Sequence, residues 1–137
     1  MINAIQIALS GLSASTKKVE ASASNIANLT TTGSLTDPAQ APYQAVTTVQ
    51  TALLDNLGTG QGVKSEILPK NTPFVPSYSP DSPFADQKGL IGISNVNLAE
   101  EAVNLNLARY EYKANLKIIE ISSELSQELL RIFDDRV

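Results

Sequence analysis

Cysteine, histidine and tryptophan are all missing from the 137 residues. Without cysteine there is no disulfide scaffold and no thiol chemistry, and without histidine the chain lacks the commonest metal ligand and general base near neutral pH. Aromatics are scarce too, four Tyr and three Phe, so Ala, Leu, Ile and Val carry most of the 42% hydrophobic share and burial per residue is shallow. Ten Lys and Arg are scattered among fourteen Asp and Glu for a net charge of −4, which excludes the basic stripe that phosphate neutralisation needs and, with it, a nucleic-acid partner. No apolar run reaches the ~18–20 residues of a membrane helix, so no direct membrane insertion is expected. The start, "MINAIQIALSGL", has neither the basic n-region nor the sustained apolar core of a cleavable signal peptide, and work outside the cytoplasm would require another export route.

Proline and glycine are present but confined. All seven prolines fall between Pro38 and Pro83, and six of seven glycines between Gly33 and Gly92. The length suits one domain, and punctuation divides it into a segment 1–30, a middle 31–96 and a segment 97–137, helices flanking something irregular or β. In the first segment Ile2, Ile5, Leu9, Leu12, Thr16, Val19, Ala23 and Ile26 alternate in steps of three and four, one stripe of period 3.5 on a helix over about residues 3–30. The rest of its surface is small, including Ala8, Ser10, Gly11, Ser13, Ala14 and Ala21, and Lys17, Lys18 and Glu20 are the only charges before Asp37. Small side chains let a neighbouring backbone approach, so both faces are expected to be covered. The helix should end in "SNIANLTTTG", where Asn and Thr compete for backbone hydrogen bonds.

The last segment opens with Asn97 as a helix cap and Glu100 three residues on, as in a capping box. Val103, Leu107, Tyr110, Ala114, Ile118, Ile121, Leu125, Leu129 and Ile132 then recur at a period of about 3.67, and a second series, Leu98, Ala102, Leu105, Tyr112, Leu116, Ile119 and Leu130, lies off that stripe. Such an apolar face is wider than a two-helix seam requires. In the middle, "YQAVTTVQTALL" and "VKSEIL" predict a hairpin around the "GTGQG" turn, "LIGIS" predicts one more short strand, and "PKNTPFVPSYSPDSPF" has too many prolines for anything but extended irregular chain.

Candidate chemistry is thin. The paired acids Glu100/Glu101 open a helix, where negative charge meets the positive end of the dipole, and Asp134/Asp135 sit beside Arg136 at a terminus. "PDSPFADQKG" lacks the acidic spacing of a calcium loop, and "GTGQG" lacks the Lys-Ser or Lys-Thr of a phosphate cradle. No catalytic, cofactor or metal residue and no small-molecule substrate is therefore expected. Glu120, Glu124 and Glu128 form an acidic ridge, either a solvated face or one met by cations of a neighbouring copy.

The two ends are recognisable together. "ALSGLSASTKKVEASASNIAN" and "NVNLAEEAVNLNLARYEYKANLKII" resemble the N- and C-terminal signatures of flagellar basal-body rod and hook proteins, and "YSPDSPFADQKGLIGISNVN" resembles more narrowly those of the proximal rod; together they cover about half of the chain. This resemblance implies a mainly α axial protein, with long N- and C-terminal helices in an antiparallel coiled coil and a small β-hairpin or irregular Pro- and Gly-rich insert. It implies a structural subunit, not an enzyme, exported by the flagellar type III apparatus without a cleaved peptide. Such a subunit polymerises in the periplasm with copies of itself and other rod proteins into a torque-transmitting helical tube around the export channel. On the matching positions it carries a packing and assembly role to Asn25, Ile26, Ala27 and Asn28, and to Asn95, Val96, Asn97, Arg109, Tyr112, Ala114 and Asn115. The stripes add Ile5, Leu9, Leu12 and Val19, and Val103, Leu107, Tyr110, Ile118, Ile121 and Leu125. Relative to the family pattern, a longer polar loop precedes Tyr43. A coiled-coil adaptor or secreted binding module is the competing reading.

Overall fold

The computed structural model describes residues 2–72 and 74–134; Asp135 and Arg136 of the terminal acid cluster lie outside that set. With no proline and one glycine, the first segment forms helix α1, Ile2–Ala27. It stops where side chains begin to compete for the backbone: Asn28 Nδ2 donates to the Ser24 carbonyl at 2.9 Å and Thr31 Oγ1 to the Asn28 carbonyl at 2.8 Å. Helix α2, Leu98–Asp134, is capped by Asn97, whose Oδ1 accepts from Ala99 N at 3.0 Å and Glu100 N at 3.3 Å. Glu100 does not close a capping box, because its carboxylate takes Lys70 Nζ at 2.8 Å.

Five strands lie between the helices. β2 (Val46–Leu54) and β3 (Gly60–Pro69) form an antiparallel hairpin whose turn is held by Asp55 Oδ1, which accepts from Leu57 N and Thr59 N, both at 2.8 Å. Its register shifts at Leu53/Leu54, opposite Gly60 and Gly62, a bulge beside the point where β3 meets α1. There Gly62 has φ +120°, and a Cβ on it would strike Ser10 Oγ, which accepts from Val63 N at 3.0 Å. Farther along, Lys17 Nζ donates to the Ser65 carbonyl at 2.6 Å. A second antiparallel sheet, ordered β1-β5-β4, joins β1 (Thr32–Gly33), β4 (Phe74–Tyr78) and β5 (Leu90–Ser94). β4 falls inside the proline-rich run expected to be irregular; it tolerates Pro76 because it is an edge strand with only one ladder to satisfy.

α1 and α2 run antiparallel: Gly11 lies against Asn115, Lys18 Nζ meets Glu111 Oε1 at 2.7 Å, and Asn25 Nδ2 meets Glu101 Oε1 at 2.7 Å. The facing residues are small or polar. On α1 they are Ala8, Gly11, Ser15, Lys18, Ser22 and Asn25, in steps of three and four; on α2 Glu101, Asn104, Ala108, Glu111, Asn115 and Ser122 keep the same phase. The α1 set is the sequence's apolar stripe displaced by one residue, which rotates it about 100° around the helix. Leu9 and Val19, read as seam residues, are 52% and 40% exposed.

Two expectations are thereby corrected. The molecule is not a mainly α antiparallel coiled coil with a small hairpin insert: two antiparallel sheets of five strands form a substantial part of it, and the hairpin is bonded along α1. Nor do the apolar stripes make the contact between the helices, because the small residues one step away allow the closer approach. Among the described residues the buried hydrophobic side chains are Ala8, Ala14, Ala21, Ala45, Ile91 and Ala108, five alanines and one isoleucine.

A Cβ on Gly11 would lie 2.5 Å from Asn115 Nδ2. Gly11→Ala should change stability little, since roughly 1 kcal/mol of helix propensity offsets displacement of the flexible Asn115. Gly11→Val drives further methyls into α2 and should cost about 1–3 kcal/mol in urea unfolding. An unfolding midpoint for Gly11→Val equal to the wild type would show that the helices do not depend on this approach.

Candidate assembly interface

Where α1 ends, its last buried side chain fastens three elements together. Asn25 is 1% exposed, and its amide is fully engaged: Oδ1 accepts from Val46 N at 2.8 Å and from Tyr43 OH at 3.0 Å, while Nδ2 donates to the Val46 carbonyl at 2.8 Å and to Glu101 Oε1 at 2.7 Å. The Val46 pair fixes which way the amide points, because its N–H requires the oxygen and its carbonyl the nitrogen. β2 has β3 on one edge only, and at Val46 the Asn25 amide occupies the place of a third strand. Glu101, also 1% exposed, takes its second contact from Asn104 Nδ2 at 3.4 Å, with Lys70 Nζ 3.8 Å from Oε1. A buried carboxylate is tolerable only with such partners. Ser24 Oγ, 2.9 Å from Tyr43 OH, extends the network to the chain leading into β2.

This clasp fixes the angle between helices and hairpin, and so decides what faces outward. Twenty-two large hydrophobic side chains are exposed among the described residues, twelve of them on α2. One strip on α2 comprises Val103, Leu107, Tyr110, Ile118, Ile121 and Leu125, all exposed. On the side of α1 away from the hairpin, Thr16 and Val19 join Tyr112 and Leu116 of α2 in an apolar groove, with Arg109 and Lys113 at its rim. Because Gly11 stands opposite Asn115, α1 begins opposite about residue 124; from Ser123 on, α2 has only Ser126 half-buried among its described side chains. Full burial of one Leu or Ile is worth roughly 1.5–3 kcal/mol, so the molecule leaves much of its hydrophobic stabilisation unrealised. No helix among the described residues is long and apolar enough to cross a membrane.

The residues read from the sequence scatter over this geometry. Asn25 and Asn115 reach the seam; Ile5, Leu12 and Ile26 are half-buried beside it. Asn28 and Asn97 serve helix ends, and Asn95 Nδ2 donates to Thr72 Oγ1 at 3.2 Å near the start of β4. Leu9, Val19, Arg109, Tyr112 and Ala114 are exposed with the α2 strip. Sequence reading missed Glu101, Tyr43, Lys18 and Glu111. The signal available was that Lys18 and Asn25, like Glu101 and Glu111, fall in the phase of the small residues. The acidic ridge is partly self-neutralised: Glu120 hydrogen-bonds Lys117 and holds that ammonium above the usual lysine value. In the loop once compared with a calcium site, Asp86 Oδ1 accepts from Leu90 N at 2.9 Å and Lys88 N at 2.8 Å, so the carboxylate shapes a turn.

Helices joined by small residues, with the apolar bulk turned outward, have the build of a structural subunit. Comparison with known proteins gives the same class. Residues 5–33 match the model of the flagella basal body rod protein family, and residues 87–132 that of the flagellar basal body rod FlgEFG protein C-terminal. The flagellar basal-body rod protein FlgC of Yersinia enterocolitica is 32% identical over 133 residues, covering 96% of this chain and 97% of its own. Its counterpart in Escherichia coli O6:H1 is 34% identical over 121 residues, 87% of each chain. That of Borreliella burgdorferi is 28% identical over 150 residues, 96% of this chain and 97% of its own. The chain belongs to the flagellar basal-body rod protein FlgC family, a family of structural rod proteins and not of enzymes.

Asn25→Ala should cost about 2–4 kcal/mol, since it strands both backbone groups of Val46 and removes the Nδ2 donor from the buried Glu101 carboxylate. Asn25→Asp should cost at least as much at neutral pH by setting a carboxylate against Glu101, and should regain stability in mild acid; wild-type unfolding curves for both would remove the clasp from its role. Asp86 gives a pH signature. Leu90 N–H first, then Lys88 N–H, hold its carboxyl below the usual carboxylate range. Its folded value lies below its unfolded one, so the turn is intact above that range and loosens only as pH falls through the lowered value. A carboxyl carbon titration by NMR should show this, with Asp86→Asn removing the signal and leaving the helices intact.

Proposed function

We propose that the chain is a structural subunit of the proximal rod of the flagellar basal body. It polymerises with copies of itself and other rod proteins into a helical tube spanning the periplasm. The tube encloses the export channel and transmits motor torque, and the subunit reaches it through the flagellar type III export apparatus without a cleaved signal peptide. The observation that carries this reading is the exposed apolar strip of α2, Val103 to Leu125, on a helix whose inward face is small and polar. Patches of this extent on a water-soluble protein mark interaction surfaces. Contacts that repeat from copy to copy without closing generate filaments, and a rod needs such contacts. Torque resistance follows from the same packing, since a wall of laterally seated helices shears only if many apolar contacts slip together.

The strip separates folding from assembly. Ile118→Asp and Leu125→Asp alter exposed positions and should leave the unfolding curve of the isolated chain within about 0.5 kcal/mol of wild type. Both should abolish incorporation into purified basal bodies, and cells carrying either should fail to swim. Normal incorporation of both variants would overturn the reading of this strip as an assembly surface.

A further inference from the structure

The groove beside α1 and the free end of α2 are complementary. The groove floor is Val19, Tyr112 and Leu116, and its outer rim carries Arg109 and Lys113. Neither cation makes an ion pair or hydrogen bond with another described residue, unlike Lys17, Lys18, Lys70 and Lys117. The C-terminal end of α2 bears exposed Ile121, Leu125, Leu129 and Ile132 along one side. Glu124 and Glu128 border this stripe, on the side turned away from the α1 seam, by the 100° rotation per residue of a helix. Glu124 makes no direct ion pair among the described residues and acts only at longer range on Lys117, which Glu120 already holds; Glu128 has only Arg131 at 3.9 Å, both members well exposed. Cations four residues apart therefore stand on the rim of an apolar groove, and anions four residues apart stand on the rim of an apolar stripe.

Resting on the reading of the chain as a rod subunit, we propose that the C-terminal stretch of α2, residues 121–132, most of it beyond the reach of α1, seats in this groove on a second copy. In the seated pair Glu124 faces Arg109 and Glu128 faces Lys113, while Leu125 and Leu129 lie on Val19, Tyr112 and Leu116. Each acid stands fifteen residues beyond its cation, so the partner lies parallel and shifted along the axis by about 22 Å. One straight helix cannot fold back to make this contact within itself. Groove and C-terminal stretch occupy different parts of the same chain, so the contact is heterologous and each copy offers a vacant groove to the next. The apolar stripe supplies most of the attraction; the charges set register and suppress the antiparallel alternative.

The absence of cysteine makes the contact directly readable. The full chain carrying Lys113→Cys and Glu128→Cys should give, on mild oxidation of cells assembling basal bodies, a ladder of cross-linked dimers, trimers and longer species. Either single variant should give at most a dimer. Dimers alone from the double variant, no cross-link, or cross-links only to a different protein each overturn the proposal. Charge exchange is the second arm. Arg109→Glu with Lys113→Glu should reduce swimming to the level of a strain lacking the chain, as should Glu124→Lys with Glu128→Lys, and the four together should restore it. Swimming unaffected by either pair overturns the proposal while the subunit reading stands. If the strain lacking the chain itself swims normally, the subunit reading fails and this contact with it.

Discussion

The close approach of α1 and α2 is the constraint from which the rest of the structure follows. Gly11 admits Asn115 where a branched side chain would drive into α2, and Ala8, Ser15, Ala108 and Ser122 keep the backbones near on either side. Small residues bring little hydrophobic gain of their own, so the seam is held by backbone proximity and specific polar contacts, Lys18 with Glu111 and Asn25 with Glu101. Larger side chains have no room there. They are carried by helical geometry to the flanks, where one molecule has nothing to cover them.

Asn25 converts this helix pair into a scaffold for β structure. Its amide satisfies both backbone groups of Val46 at the root of the hairpin, and it shares Glu101 with α2. Ser10 and Lys17, on the neighbouring face of α1, continue the attachment along β3 through Val63 N and the Ser65 carbonyl. The hairpin is thus bound by hydrogen bonds spaced along α1, with the buried Ala14 and Ala21 between them. That leaves its outer surface, with Val49, Leu53, Leu54 and Leu57, as exposed as the flanks of α2.

An alanine-dominated interior gives an isolated chain a modest margin over the entropy of ordering a helix of 37 residues. Neighbours covering the flanks, as in the proposed assembly, would stabilise the folded form by mass action and so couple folding to assembly.

The sequence by itself determined the two helices, the hairpin and the strand at "LIGIS". Heptad spacing, the Asn97 cap, the Asn and Thr cluster after Ala27, and the β-branched runs around "GTGQG" are local signals, legible because helix period, capping and turn chemistry act over a few residues. The resemblance of both ends to rod and hook proteins was equally legible. Only tertiary structure decided which of two neighbouring phases became the seam. Period alone cannot distinguish an apolar stripe from the small-residue row one position before it, and the choice rests on how near two backbones can come. Tertiary structure also decided that Pro76 lies in an edge strand, where one ladder suffices, and that Asn25, Tyr43, Glu101 and Val46 meet, because residues 76 positions apart share no local signal.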